Sequence, residues 1–371
     1  MQPTDPLSAV AHPDPYPYYR ALARGRPLYR DDALGLWVAC APAVIRVLLD
    51  EPAARVRPVQ EPVPPALQDG AAGALFGRFA RMIDGPRHAA LKPLLEALLA
   101  EPAPRPPAHW PPVPDSPASL DRFLFDAPVY AQAGRLGLPD AEAAPCARDV
   151  AQFRAALRAA AWPADIAAGH AAAARLRHRL LAHLRRQSAA TPLAALRRRA
   201  AGTGIDDETL AANLAGLLFQ SCEAGAGLIG NTLVALGRDP ARAAAARADE
   251  RLCLQAAADC ARLDPPVHNT RRYLARPLIL ADTALPAAAT VLLVLAAAAM
   301  AHAGAAPWTF GAGRHACPGR TPALQAAGLA VAHLLRAGLD VAALARAFRY
   351  LPLPNARIPQ FGAPRSGYPG V

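Results

Sequence analysis

Apolar residues recur at three- and four-residue intervals along most of the chain. This period predicts helices over about 42–50, 84–100, 119–135, 145–161, 165–187, 207–237, 241–262 and 318–337. Strand-like alternation is rare. Its clearest case is Leu28 to Arg30 and Leu36 to Ala39, which flank Asp31-Asp32-Ala33-Leu34-Gly35 and read as a short hairpin leading into the first of these helices. The expected fold class is therefore mainly α with small β-sheets. The stretch 207–237 stands apart. Asp206 offers a cap, Gly237 and Pro240 mark the end, and ~30 residues at 1.5 Å each span ~45 Å, the width of a domain. Leu214 to Leu236 is apolar on nearly every face, as in a buried central helix. Gly225 and Gly227 in its middle each cost ~1 kcal/mol relative to alanine. Either something flat approaches closely there, or a neighbouring segment packs tightly.

Charge changes the picture little. The chain has 371 residues and a net charge of +11, but Lys92 is its only lysine among 40 basic residues, in a background rich in Ala, Arg, Pro and Gly. That composition is expected from a GC-rich genome, so basicity alone does not point to nucleic acid. In Arg175 to Arg186, Leu176, Leu180 and Leu184 form a core stripe and most arginines a solvated face. Neither nucleic acid nor membrane is an expected partner. Hydrophobic residues at 53% exclude a disordered chain. The longest mostly apolar run, Ala287 to Ala301, is shorter than the ~20 residues that span a bilayer. The 40 prolines imply loops, and the densest cluster, 101–117, reads as a surface linker inside a single domain covering 1–371. Six cysteines without a C-x-x-C pair and without a leader segment imply reduced thiols in the cytoplasm.

The candidate chemistry lies in Phe310-Gly311-Ala312-Gly313-Arg314-His315-Ala316-Cys317-Pro318-Gly319, a glycine-rich loop before a helix. Cys317 is expected at the N-cap with Pro318 as first helical residue, where the helix dipole favours a thiolate. The glycines allow close approach of a flat ligand.

This loop resembles the haem-binding loop of the cytochrome P-450 superfamily, Phe-Gly-x-Gly-x-(His or Arg)-x-Cys-x-Gly, at every fixed position. Other segments follow in the family's order, over most of the chain. The resemblance implies a P-450 fold with haem b between the long helix and the cysteine-loop helix, Cys317 being the iron ligand and Phe310, Gly311 and Gly319 shaping the loop. His88, Lys92, Arg272 and His315 would hold the haem propionates, with Lys92 where the family has arginine and Arg271 the runner-up to Arg272. Glu223 and Ala224 match the acid and threonine of the oxygen-side relay, the threonine having become alanine. Asp259 and Arg262 match the family's Glu-x-x-Arg, with Arg262 expected buried against its carboxylate. Three further departures are the short segment between Ala299 and Trp308, the prolines of 101–117, and Pro322 early in the cysteine-loop helix. The function implied is a monomeric, atypical haem-thiolate monooxygenase of a small or medium organic molecule, supplied with electrons by a ferredoxin and its reductase. The alternative is a P-450-like haem-binding protein without turnover.

Overall fold

The computed structural model describes residues 2–102, 109–301 and 307–363. The middle of the 101–117 proline cluster and residues 302–306 of the short segment before Trp308 lie outside the described residues. In chain order the elements are α1 (Tyr16–Gly25), β1 (Leu28–Asp31), β2 (Leu36–Ala39), α2 (Pro42–Asp50), β3 (Ala54–Arg55), α3 (Ala71–Phe76), α4 (Pro86–Ala100), α5 (Pro117–Arg135), α6 (Asp140–Ala156) and α7 (Pro163–Arg185). There follow α8 (Pro192–Ala200), α9 (Asp207–Gly237), α10 (Pro240–Ala248), α11 (Glu250–Leu263), β4 (Thr270–Leu274), β5 (Leu278–Leu280), β6 (Thr283–Leu285) and β7 (Thr290–Leu293). The chain ends with α12 (Leu295–Ala301), α13 (Arg320–Arg336), α14 (Val341–Arg346), β8 (Arg349–Tyr350) and β9 (Pro359–Gln360). The mainly helical expectation holds.

Many prolines serve as helix starts rather than loops. α2, α4, α7, α8 and α10 each begin on proline, whose missing N–H is one that a first turn leaves unused. Pro322 is harmless for the same reason, being only the third residue of α13. The expected helix over 241–262 is two helices, because Asp249 turns the chain out of helical geometry and caps α11 through the Arg251 N–H. Asp206 caps α9 as expected, accepting from the Thr209 N–H at 2.8 Å.

Two compact units make up the described chain. The first comprises 1–54, 112–125 and 223–371. Its main sheet has the order β1-β2-β7-β4-β3, with β7 parallel to β2 and antiparallel to β4. Successive residues of β7 point to opposite faces. Val291 and Leu293 pack with Ile45, Leu48 and Trp308, and Leu292 with Tyr19 and Val38. The loop that carries Cys317 therefore rests on a sheet buried on both sides.

The second unit comprises 55–111 and 126–222. Here α6 packs on α7 and α3 on α7, while Leu176, Leu180 and Leu184 are fully buried, as their spacing requires. Arg175 and Arg179 pair with Asp149, Arg179 also pairs with Glu142, and Arg177 pairs with Glu208, so much of this basic face is matched internally. Phe76, Phe79, Phe153 and Phe219 form an aromatic cluster. Among the described residues no helix is long and apolar enough to cross a membrane.

Candidate active site

The cysteine loop is built by its glycines. Gly311 and Gly313 have φ of 67° and 64°, the left-handed region that favours glycine. A Cβ on Gly313 would collide with the Asp50 carboxylate, and the neighbouring Arg314 donates to the Glu51 carbonyl at 2.8 Å. The loop closes when the Cys317 N–H donates to the Phe310 carbonyl at 2.8 Å. That bond corrects one expectation. Cys317 belongs to the loop, Pro318 and Gly319 form a turn, and α13 starts at Arg320 with Gly319 as its N-cap. The cysteine still precedes the helix N-terminus, and its thiol is exposed, whereas the other five cysteines are buried. Arg320 stacks on Phe310 and Arg46 on Trp308, which fixes both aromatic rings of the loop.

Of the cations, His315 lies in the short helical turn Gly313–His315 and Arg272 is buried on β4, whereas Arg271 beside it is exposed. Both belong to the first unit. His88 and Lys92 belong to the second, one turn apart on α4; His88 is buried, and Lys92 pairs with Glu96 at 3.6 Å.

Along α9, residues 209–216 and 226–234 are buried, but Leu217, Phe219 to Ser221 and Glu223 to Gly225 are partly accessible. At 100° per residue Leu217, Gln220 and Ala224 share one stripe. An interior helix thus leaves its middle incompletely covered, at the two residues the sequence singled out, Glu223 and Ala224. Gly227 has the other explanation. A Cβ there would stand 2.6 Å from the Arg357 carbonyl oxygen and 2.8 Å from Pro266 Cβ, so this glycine is kept for packing.

Asp259 and Arg262 are adjacent on α11, 3.6 Å apart, but the Arg262 side chain is 47% exposed. The expected burial of Arg262 is corrected: Asp259 instead bonds Arg242 of α10 and Gln255, because its side chain turns toward α10. The buried acid–arginine pair of this region is one that sequence reasoning missed, Asp264 with Arg357, at 2.7 Å.

No protein-family model matches the chain, and no curated protein matches it by sequence. Solved structures do. CalO2 is 24% identical, covers 98% of this chain and 99% of its own, and superposes with a TM-score of 0.72. The P-450 RauA, complexed with a biosynthetic intermediate of aurachin RE, is 19% identical with 96% of both chains covered and a TM-score of 0.70. The P-450 BioI, in complex with an acyl carrier protein ligated to hexadec-9Z-enoic acid, is 17% identical over 94% of this chain and 97% of its own, with a TM-score of 0.67. The chain has the cytochrome P-450 fold.

Proposed function

We propose that this chain is a haem-thiolate monooxygenase of P-450 type, acting on a small or medium organic molecule with electrons from a ferredoxin and its reductase. The observation that carries the reading is the Cys317 loop: an exposed cysteine, a backbone closed by Cys317 onto Phe310, and glycines at two left-handed positions, at one of which, Gly313, a side chain would collide with Asp50. The surroundings suit an anionic macrocycle. Trp308 Nε1 and Arg314 Nε are buried near the loop without an acceptor among the described residues, and the Arg272 side chain is buried on the adjoining sheet.

When bound, haem b would supply oxygen activation at its iron. Cys317 would hold the iron as a thiolate, and the N-terminal end of α13 behind it favours that charge. Arg272 and His315, with His88 and Lys92, would balance the propionates. Glu223 is the group on α9 able to hold and pass a proton toward the oxygen side. Ala224 carries no hydroxyl, so Glu223 must work through water or a hydroxyl of the substrate. The ligands in the RauA and BioI structures, an aurachin RE intermediate and a fatty acid on a carrier protein, support a medium-sized organic substrate here. Ala224 is also the observation that favours the second reading, haem binding without turnover.

The test is the ferrous carbon monoxide spectrum of the purified protein. A red-shifted Soret band that disappears in Cys317→Ser is the expected result, and a band retained in that variant removes Cys317 as ligand. Turnover with surrogate ferredoxin and reductase then separates the two readings.

A further inference from the structure

We propose that His170 is a pH-sensitive latch: its neutral imidazole pins the start of α3 to α7, and protonation of the ring releases α3 and loosens the aromatic cluster that α3 supports. Both helices belong to the second unit. None of the residues assigned above to haem or to proton transfer takes part.

α3 has six residues and does not cap itself. A helix so short is marginal without outside support, and its N-cap position is Gly70, which has no side chain to accept from the free N–H groups of the first turn. His170 supplies what is missing. Its Nδ1, reaching from α7, lies 3.2 Å from the Ala72 nitrogen, which donates to it as the second residue of a helix ordinarily donates to a capping oxygen. The ring covers Gly70 so closely that a Cβ there would collide with Nδ1 and Cε1. Gly70 therefore lets a distant side chain stand in the place of a local cap. This is the one hydrogen bond of His170 among the described residues.

The bond exists in one protonation state only. Nδ1 faces an N–H, so it must present its lone pair, and the ring proton sits on Nε2. A second proton goes to Nδ1, where it turns the acceptor into a donor aimed at another donor and sets a cation at a helix N-terminus. Both effects push the ring off α3. The surroundings offer a charged ring no partner: α3 and the 65–67 turn packed beside it carry no ionisable side chain. On α6, Glu142 and Asp149 are held by Arg179 and Arg175, Asp140 is held by His109, and Arg148 and Arg154 are themselves cations. Glu61 pairs with Arg57, and neither Asp69 beside Gly70 nor Asp165 on α7 pairs with His170.

Packing sets what acid loosens. α3 otherwise rests on the 63–67 segment, where a Cβ on Gly73 would collide with the Leu67 carbonyl, and its last residue, Phe76, meets Phe79 with ring centroids 6.0 Å apart. Phe79 in turn stacks on Phe219 of α9 at 5.9 Å. Those contacts are steric and apolar; the His170 bond is the part of the attachment that pH can cut.

The experiment is amide hydrogen exchange of the full-length holoprotein, read by mass spectrometry at about pH 8 and about pH 5, the two ends of the histidine range, with each rate divided by its intrinsic value at that pH. In wild type, protection across residues 70–79 should fall about ten-fold further than across α6. His170→Asn, whose amide oxygen can accept where Nδ1 does but takes up no proton, should keep the higher protection at both pH values. His170→Phe, which fills the space without accepting, should show the lower protection at both. Any acid loss of global stability is shared by all three proteins and cancels in the comparison. A wild-type fall over 70–79 no larger than that over α6, or a fall that survives in His170→Asn, overturns the proposal and leaves His170 a packing residue. If a variant fails to fold, the wild-type difference between 70–79 and α6 decides alone.

Discussion

Two acid–arginine pairs lie at the end of α11 in the first unit, and they are opposites. Asp259 and Arg262 are three residues apart, need no tertiary structure to meet, and leave the arginine about half in water. Asp264 and Arg357 are separated by 93 residues, and the arginine side chain is 1% exposed. Arg357 also donates to the carbonyls of Val10, His12 and Pro13, lies over the Tyr350 ring, and presents its own carbonyl to Asn231. Asp264 accepts from Tyr16 and Tyr350 as well. One arginine, through its guanidinium and its backbone carbonyl, thus ties together the N-terminal segment, α9, the end of α11 and the β8–β9 hairpin. The difference teaches where charge matters: local spacing makes a pair easy to read, and burial makes it expensive to break.

The largest effect should come from Arg357→Met. It leaves Asp264 without its cation and three backbone carbonyls without donors, at a cost of about 3–5 kcal/mol. Denaturant unfolding of the holoprotein measures it, and a loss under about 1 kcal/mol would mean that solvent reaches this cluster. Arg357→Met combined with Asp264→Leu should recover part of the loss, since the penalty is mainly that of an uncompensated buried charge.

The second effect is a pH dependence centred on His268. This ring is fully buried and its Nδ1 lies 2.8 Å from the Tyr19 hydroxyl. Burial first, then the charge of Arg357, hold its pKa down at about 3, although Asp264 acts in the opposite sense. The unfolded chain therefore takes up a proton below about pH 6.5 while the native state does not. Stability is complete above that value and falls as the pH drops, by about 2 kcal/mol between pH 7 and pH 5. Asp264 adds to the same limb further down: burial would raise its pKa, but Arg357 and the Tyr16 hydroxyl outweigh that and lower it, so its contribution is lost as pH falls through the native value. His268→Asn should flatten the pH 7 to 5 limb without abolishing the lower one. A wild-type curve already flat over that range would show that the ring is charged or hydrated in the native state.

What was legible in the sequence follows the same division. The cysteine loop could be read because glycine and cysteine at fixed spacing have few other uses, and α9 because a mostly apolar run of ~30 residues after a capping aspartate can be little else. α1, α3, α8, α12 and α14 escaped, being short segments of 6 to 10 residues, too few for a period to be read over more than two or three turns. The position of α13 was misjudged by two residues, because proline after cysteine looks like a first helical residue whether or not the chain turns before it. Arg357 was invisible: it stands in a proline-rich stretch with no periodicity, and its role exists only once four distant segments meet.

The smallest effect should come from the pair that was easiest to read. Asp259 has a partly exposed side chain and three partners, Arg242 of α10 and Arg262 and Gln255 of its own helix. Removing the carboxylate leaves both arginines able to turn into water, which they already touch, so neither is stranded. Asp259→Ala should therefore cost about 1 kcal/mol or less, and Arg262→Ala less again. Salt should narrow the gap further, since exposed pairs are screened where buried ones are not. The decisive comparison is Asp259→Ala beside Arg357→Met in one denaturant series at low and high salt. A loss at Asp259 as large as that at Arg357, and equally insensitive to salt, would overturn the division by burial and restore the local motif as the structural centre of this unit.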